Sequence, residues 1–169
     1  RILSQDVDRQ IRGGIMMAAP NSMLDIMVEQ LEIMAQQGDA PPAQAQMMAA
    51  QVAMLKDPAF DPANPPEGYW LGTPEYWLDL RPLTSDLLRD DDRPLLFLQG
   101  ARDYQVPASQ LESFKQELAG RTNLTYKLYP KLNHVFTEGE GEISRPAEYN
   151  HPANIPFYVI EDILEWIGE

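Results

Sequence analysis

Two side chains capable of acid–base chemistry follow two consecutive predicted strands. Asp103 lies in the turn after the apolar run at residues 94–99, and His134 lies in the loop after residues 124–129. In an open parallel sheet, the loops at the carboxyl ends of neighbouring strands lie side by side, and ligand or catalytic groups collect there. A carboxylate next to an imidazole fixes the ring tautomer, so that the second ring nitrogen can take a proton from a hydroxyl nucleophile. We therefore predict that Asp103 orients His134 as a general base.

Each of these residues also has an ordinary structural explanation. An aspartate after a strand commonly caps a turn, and a single loop histidine needs no function. The only other histidine, His151, lies in a polar, proline-flanked stretch and is predicted to be at the surface. The acidic run 90–92 and the loop 138–141 lack the ligand spacing of a calcium loop, so we expect solvated charge there and no metal. Only the pairing of Asp103 with His134 after consecutive strands favours catalysis.

No nucleophile accompanies this pair in the sequence. A serine nucleophile of an α/β enzyme lies in the motif G-x-S-x-G, on a sharp turn between a strand and a helix, and the motif is absent here. Residues 1–10 are predicted to finish a helix that Gly13 and Gly14 end. If this helix follows the nucleophile turn, the serine is expected about three or four helical turns upstream of residue 1. The chain has no cysteine, which excludes a cysteine nucleophile, disulfides and thiolate metal sites.

The elements around the pair predict an α/β fold with a parallel sheet. Short apolar runs at residues 15–19, 94–99 and 124–129, each bounded by turn residues, are typical of strands buried on both faces. Apolar residues at spacings of three and four predict a helix at residues 109–118 and another after Pro156. Strands and helices alternating at these lengths are typical of right-handed βαβ crossovers. The sequence therefore predicts about three parallel strands with flanking helices.

The connection between the first two strands is far longer than a usual loop. Residues 21–93 are therefore predicted to form a helical cap, inserted into a core of residues 1–20 and 94–169. All eight methionines lie between residues 16 and 54, and methionine suits an adaptable apolar surface. One hypothesis is a lid over an acyl or other apolar substrate group, lined by Met27, Met34, Met48, Tyr69, Trp70 and Trp77. The alternative is that these side chains make ordinary contacts inside the cap.

The charge and hydropathy of the chain exclude several classes of partner. The net charge is −13, with 26 acidic and 13 basic residues, which repels nucleic acid backbones and anionic lipid surfaces. No apolar run approaches the roughly 20 residues that a membrane span needs, and no N-terminal signal is visible. We expect a soluble chain without a nucleic acid partner or a membrane span, and the compartment, cytoplasmic or secreted, stays open.

Several short segments carry a family resemblance. They are LFLQG at 96–100, DYQV at 103–106, YP at 129–130, LNH at 132–134, Phe136, DILEWI at 162–167 and the segment 13–20. With them the chain resembles the C-terminal part of bacterial α/β-hydrolases of the dienelactone-hydrolase and acyl-peptidase-like kind. The resemblance implies part of an α/β-hydrolase sheet with a helical lid insertion, in which Asp103 and His134 match the acid and the histidine of a Ser–His–Asp triad. It also implies hydrolysis of acyl esters, or a related acyl transfer, without a cofactor.

The first functional hypothesis is a fragment of a carboxylesterase-like serine hydrolase. The serine and the oxyanion hole are then expected in a missing N-terminal half of the same protein, which becomes the partner of this chain. We expect the chain alone to be inactive and its substrate to be a small acyl or apolar molecule. Two alternatives stay open: a non-catalytic α/β domain that binds an apolar ligand or protein through its cap, and a serine peptidase of the same fold.

Overall fold

Three parallel strands form the sheet of this protein. A computed structural model describes residues 2–168, so Arg1 and Glu169, the ends of the predicted core, lie outside the described residues. The strands are β1 Gly14–Met17, β2 Leu95–Gly100 and β3 Leu124–Tyr129, in the order β1-β2-β3. Both pairings are parallel. The predicted parallel sheet is therefore confirmed, with the first two strands shifted by one or two residues from the predicted bounds.

Seven α-helices and one short 3-10 helix surround this sheet in the described part of the chain. They are α1 Ile2–Gln5, α2 Met23–Gln36, α3 Pro42–Lys56, α4 Pro74–Asp79, α5 Thr84–Leu88, α6 Ser109–Glu117, the 3-10 helix Pro146–Asn150 and α7 Phe157–Gly168. The sequence analysis did not predict α5 or the 3-10 helix. The prediction of a helix up to residue 10 is wrong, because the Asp6 carboxylate accepts hydrogen bonds from the backbone N–H groups of Gln10 and Ile11. That side-chain cap turns the chain away from the helix axis.

Strand β2 is the centre of the hydrophobic core. Its side chains alternate between the two faces of the sheet, and all six of its residues are buried. One face packs against α7 through Leu96, Leu98 and Val159. The other packs against α6, where the Phe97 and Phe114 ring centroids are 4.8 Å apart. Burial of a side chain this size stabilises the fold by about 1.5–3 kcal/mol, so the strand that carries the acid turn is firmly held.

The start of the predicted cap is anchored to helix α6. Gln110 Oε1 accepts hydrogen bonds from the backbone N–H groups of Asn21 and Ser22, at 3.0 and 2.9 Å. The buried side chain of Asn21 in turn accepts from the Ser85 N–H at 2.8 Å. Since the cap leaves the sheet just after the carboxyl end of β1, these bonds anchor it at the edge of the sheet where Asp103 lies.

The acidic run 90–92 is only partly solvated, which corrects the sequence expectation. The Asp91 and Arg93 side chains are each 9% exposed and form an ion pair. Hydrogen bonds from Arg93 lower the pKa of Asp91 to about 2. Asp92 pairs with Arg9 near the surface. The run therefore ties the start of β2 to the N-terminal segment through charged pairs.

Candidate active site

The turn after β2 holds the Asp103 carboxylate in one orientation. The side chain is fully buried, with an exposed fraction of 0%. Its Oδ1 atom accepts hydrogen bonds from the backbone N–H groups of Gln105 at 2.8 Å and Val106 at 2.9 Å. Its Oδ2 atom accepts from the Gln99 side-chain amide at 3.2 Å. Three donors around one carboxylate leave it little freedom to rotate and satisfy its buried charge.

The loop after β3 is a tight turn that carries His134. The Asn133 side chain closes this turn, since its Oδ1 atom accepts from the backbone N–H groups of Val135 and Thr137, both at 3.1 Å. Phe136 has a φ of +59° and is buried against the sheet core. An isolated antiparallel bridge joins Leu132 to Glu138 at the base of the turn. A closed turn with a buried anchor presents the histidine from a rigid support.

Asp103 and His134 are in direct contact. The His134 Nδ1–H donates to Asp103 Oδ2, and the two atoms are 2.9 Å apart. This hydrogen bond raises the pKa of His134 above its ordinary value, although partial burial of the ring opposes the rise. The ring is 30% exposed, and within residues 2–168 no hydrogen bond is made to its Nε2 atom. The arrangement therefore has a fixed tautomer and a free nitrogen that faces outward, as a general base needs.

Gly100 allows the two loops to come together. A Cβ atom at this position would lie 2.4 Å from the Leu132 carbonyl oxygen and 2.7 Å from that of Asn133. The loops are also hydrogen-bonded to each other, because Arg102 N–H donates to the Leu132 carbonyl at 3.0 Å. The sequence analysis included Gly100 only as the last residue of the segment LFLQG. The sequence signal for its role was a glycine at the end of an apolar run, a position that often marks the close approach of another backbone segment.

Arg102 and Tyr149 are two further residues of the site that the sequence analysis missed. The Arg102 side chain is buried beside the acid, and its guanidinium donates to both carboxylate oxygens of Glu148, at 2.8 and 3.0 Å. Glu148 lies in the 3-10 helix next to Tyr149, whose hydroxyl accepts a long hydrogen bond of 3.4 Å from the His134 backbone N–H. This ion pair thus holds a long loop against both the acid turn and the histidine loop.

The cap residues predicted to line a substrate site lie mostly inside the cap. Met27, Met48, Tyr69 and Trp77 pack against the buried cluster formed by Leu24, Val52 and Leu55. Met34 is half-buried on α2, and Trp70 is 51% exposed. Within the described residues, no hydrogen bond or ring contact joins any of the six to Asp103 or His134. These contacts match the alternative that the sequence left open, and a role at the substrate stays a prediction.

His151 and the loop 138–141, for which the sequence indicated no chemical role, lie outside the contact between Asp103 and His134. His151 follows the 3-10 helix and is exposed. In the loop 138–141, the carbonyl oxygens of Glu140 and Gly141 accept hydrogen bonds from the Arg102 guanidinium. Among residues 2–168, no helix combines the length and the hydrophobicity required to cross a lipid bilayer.

This chain is similar to a curated esterase. It is 29% identical over 164 residues to Esterase EstD of Thermotoga maritima, and the match covers 95% of this chain and 38% of the esterase. The chain thus spans well under half the length of this relative. No family model matches the chain.

Two solved structures also resemble the chain at low sequence identity. One is the esterase Pf2001 of Pyrococcus furiosus, with a TM-score of 0.45, 14% identity and coverage of 78% of this chain and 40% of that one. The other is a candidate dienelactone hydrolase of Klebsiella pneumoniae, with a TM-score of 0.38, 20% identity and coverage of 54% of this chain and 36% of that one.

Proposed function

We propose that this chain supplies the acid, Asp103, and the general base, His134, of a carboxylesterase-like serine hydrolase. The observation that carries the proposal is the 2.9 Å contact between His134 Nδ1 and Asp103 Oδ2, while no described residue makes a hydrogen bond to His134 Nε2. Both residues lie at the carboxyl edge of a parallel sheet, where the catalytic groups of such sheets collect. The similarity to a curated esterase supports ester hydrolysis over peptide hydrolysis.

In the proposed reaction, His134 moves one proton at a time between three oxygens. Nε2 takes the proton of a serine hydroxyl while the serine oxygen bonds to the ester carbonyl carbon. Collapse of the tetrahedral adduct breaks the bond to the alcohol, which leaves with the proton from Nε2. Water then repeats the sequence on the acyl-serine and releases the carboxylic acid. Asp103 accepts the Nδ1–H hydrogen bond throughout and stabilises the imidazolium that forms in each half-reaction.

The proposed serine and oxyanion hole come from an upstream part of the same polypeptide. The chain contains no G-x-S-x-G motif, and it covers only 38% of the esterase that it matches. Within the described residues, β1 pairs only with β2. Helix α7 also carries an apolar stripe that is 38–69% exposed, formed by Phe157, Ile160, Leu164 and Ile167. We assign this stripe and the free edge of β1 as the surface that the upstream part covers.

Labelling of the full-length polypeptide with a serine-directed fluorophosphonate tests the catalytic proposal. We expect the intact protein to label, and His134→Ala to reduce the labelling rate by roughly 10³-fold, because the serine loses its base. The matched control is His151→Ala, which changes the only other histidine of this chain and should label like the parent. Equal labelling of the His134→Ala protein, or no labelling of the intact protein, would refute the proposal.

A pair of leucine substitutions tests the proposed contact surface. In the full-length polypeptide, Leu164→Asp should lower the free energy of unfolding by about 2–3 kcal/mol, because it places a charge in an apolar contact. Leu128→Asp is the control, because Leu128 is 44% exposed on the other edge strand. It should change stability by less than about 0.5 kcal/mol. Equal effects of the two substitutions in urea denaturation would show that α7 is not covered.

A further inference from the structure

Gln99 is a buried polar residue that the proposed reaction does not use. It is the fifth residue of β2, and its side chain is 1% exposed. Its Nε2 atom donates to the Val106 carbonyl at 2.8 Å and lies 3.2 Å from the Gly100 carbonyl. The same nitrogen is 3.2 Å from Asp103 Oδ2. The amide therefore bridges the two ends of the acid turn and also contacts the carboxylate.

Asp103 Oδ2 is thus shared by two donors of different kinds. His134 Nδ1 approaches it at 2.9 Å and Gln99 Nε2 at 3.2 Å. The histidine gains or loses a charge when it moves a proton, whereas the amide remains a neutral donor. The partial positive charge of the amide N–H group offsets part of the negative potential of the carboxylate, so it stabilises the pair less when the ring is an imidazolium than when the ring is neutral. Removing the amide should therefore strengthen the bond between the carboxylate and a protonated ring.

We propose that Gln99 is a positioning residue that limits how tightly Asp103 holds the protonated form of His134. The catalytic part of this inference rests on the proposed function, but the effect on the histidine does not. A base that holds its proton too firmly returns it slowly to the leaving alcohol. Gln99 would keep the pair in the range where His134 both accepts and releases a proton near neutral pH.

The other polar groups around the pair do not offer the same contact. Oδ1 of Asp103 is already occupied by two backbone N–H groups, so the carboxylate stays in place without Gln99. Arg102 directs its guanidinium to Glu148, away from the acid. Tyr104 packs against the ring of Tyr149, at 5.9 Å between centroids. Gln99 is therefore the one described side chain besides His134 that donates to the carboxylate.

NMR titration of the histidine ring protons tests this inference directly. The chain has two histidines, so exposed His151 serves as an internal reference for His134. Gln99→Met keeps the side-chain length but removes the donor, and we expect it to raise the pKa of His134 by about one unit, a tenfold change in the ionisation equilibrium. His151 should not shift. Gln99→Leu carries the same expectation and replaces the first variant should it fail to fold.

A second buried glutamine provides the control for lost stability. Gln51 in α3 donates to the Gly68 carbonyl at 2.9 Å and accepts from Trp70 N–H at 2.9 Å, without contact to the acid turn. Gln51→Met should lower the thermal unfolding temperature but leave the pKa of His134 unchanged. If Gln99→Met folds and leaves the pKa of His134 within 0.2 units of the parent, or lowers it, Gln99 is only structural and the inference is wrong.

Activity of the full-length polypeptide separates this inference from the proposed function. If the protein hydrolyses p-nitrophenyl esters, Gln99→Met should shift the lower limb of its kcat–pH profile upward by the same unit, with KM unchanged. A hydrolase whose profile does not move would overturn the inference alone. A protein without hydrolysis, in which the NMR shift still appears, would overturn the proposed function alone.

Discussion

Replacement of Gly100 by alanine gives the sharpest test of how the site is assembled. The new Cβ atom would lie 2.4 Å from the Leu132 carbonyl oxygen and 2.7 Å from that of Asn133. Both neighbours are backbone atoms of the histidine loop, so neither can rotate aside as a side chain would. Ordinary contact between heavy atoms begins near 3.5 Å, and the histidine loop must therefore move by about 1 Å.

A movement of this size breaks the contact between the acid and the histidine. It would stretch the 2.9 Å distance between His134 Nδ1 and Asp103 Oδ2 beyond the range of a hydrogen bond. Loss of a hydrogen bond to a charged group costs about 1.5–3 kcal/mol, and overpacking adds about 1–3 kcal/mol. We expect Gly100→Ala to lower the free energy of unfolding by about 2–4 kcal/mol in total, allowing for partial relaxation. A 1 Å misplacement should also reduce hydrolysis by the full-length protein by roughly 10²-fold.

Urea denaturation and the NMR titration of His134 together give the readout for Gly100→Ala. We expect the pKa of His134 to return toward its ordinary value, because the hydrogen bond that its ring donates to Asp103 is the largest cause of the rise. The control is Gly120→Ala, since a Cβ atom there meets nothing within 4 Å, and it should leave both measurements unchanged. A Gly100→Ala protein with parental stability and a still-raised His134 pKa would refute the reasoning.

Three further predictions follow from charged pairs in the structure. The free energy of unfolding should decline as the pH rises from 6.5 through the raised pKa of His134. A raised pKa in the folded state stabilises the protein only while the ring is protonated. Urea denaturation at several pH values should therefore give different slopes against pH for the parent and for His134→Gln. Glu148→Gln should lower the free energy of unfolding by about 2–3 kcal/mol because it breaks the ion pair with Arg102. This loss is smaller than for a fully buried pair, since the Glu148 side chain is 30% exposed. Differential scanning calorimetry measures the change, and a loss below about 0.5 kcal/mol contradicts the prediction. Asp91 should lose its stabilising effect as the pH falls from 3.8 to about 2, and acid titration of Asp91→Asn by circular dichroism should lack that transition.

The sheet and the acid–histidine contact were predictable because simple patterns determine both. Strand β2 is buried on both faces, and a nearly continuous apolar run, here interrupted only by Gln99, is typical of such a strand. The contact between Asp103 and His134 follows from topology, since loops after neighbouring parallel strands must lie at one edge. Neither conclusion needed side-chain detail, and the structure brings the two atoms to 2.9 Å.

The features that were missed depend on individual side-chain partners, which hydrophobic periodicity does not reveal. Arg102 is buried because its guanidinium binds Glu148, 46 positions later and in a loop without periodicity. The early end of α1 depends on one side chain, Asp6, that competes for two backbone N–H groups. For the cap, the sequence predicted helices within residues 21–93, but it could not show that α2 and α3 pack against each other around Leu24 and Leu55.

The acid and the histidine belong to one strand–helix–strand unit, only 31 positions apart. Closing a chain segment of this length costs little entropy, and each doubling adds only about 0.6 kcal/mol. During synthesis the unit leaves the ribosome before α7 does, and domains and their subunits fold as they emerge. The acid–histidine pair should therefore form early in folding. Because the unit that carries it is continuous in sequence and separate from the cap, different caps could be combined with the same pair during evolution.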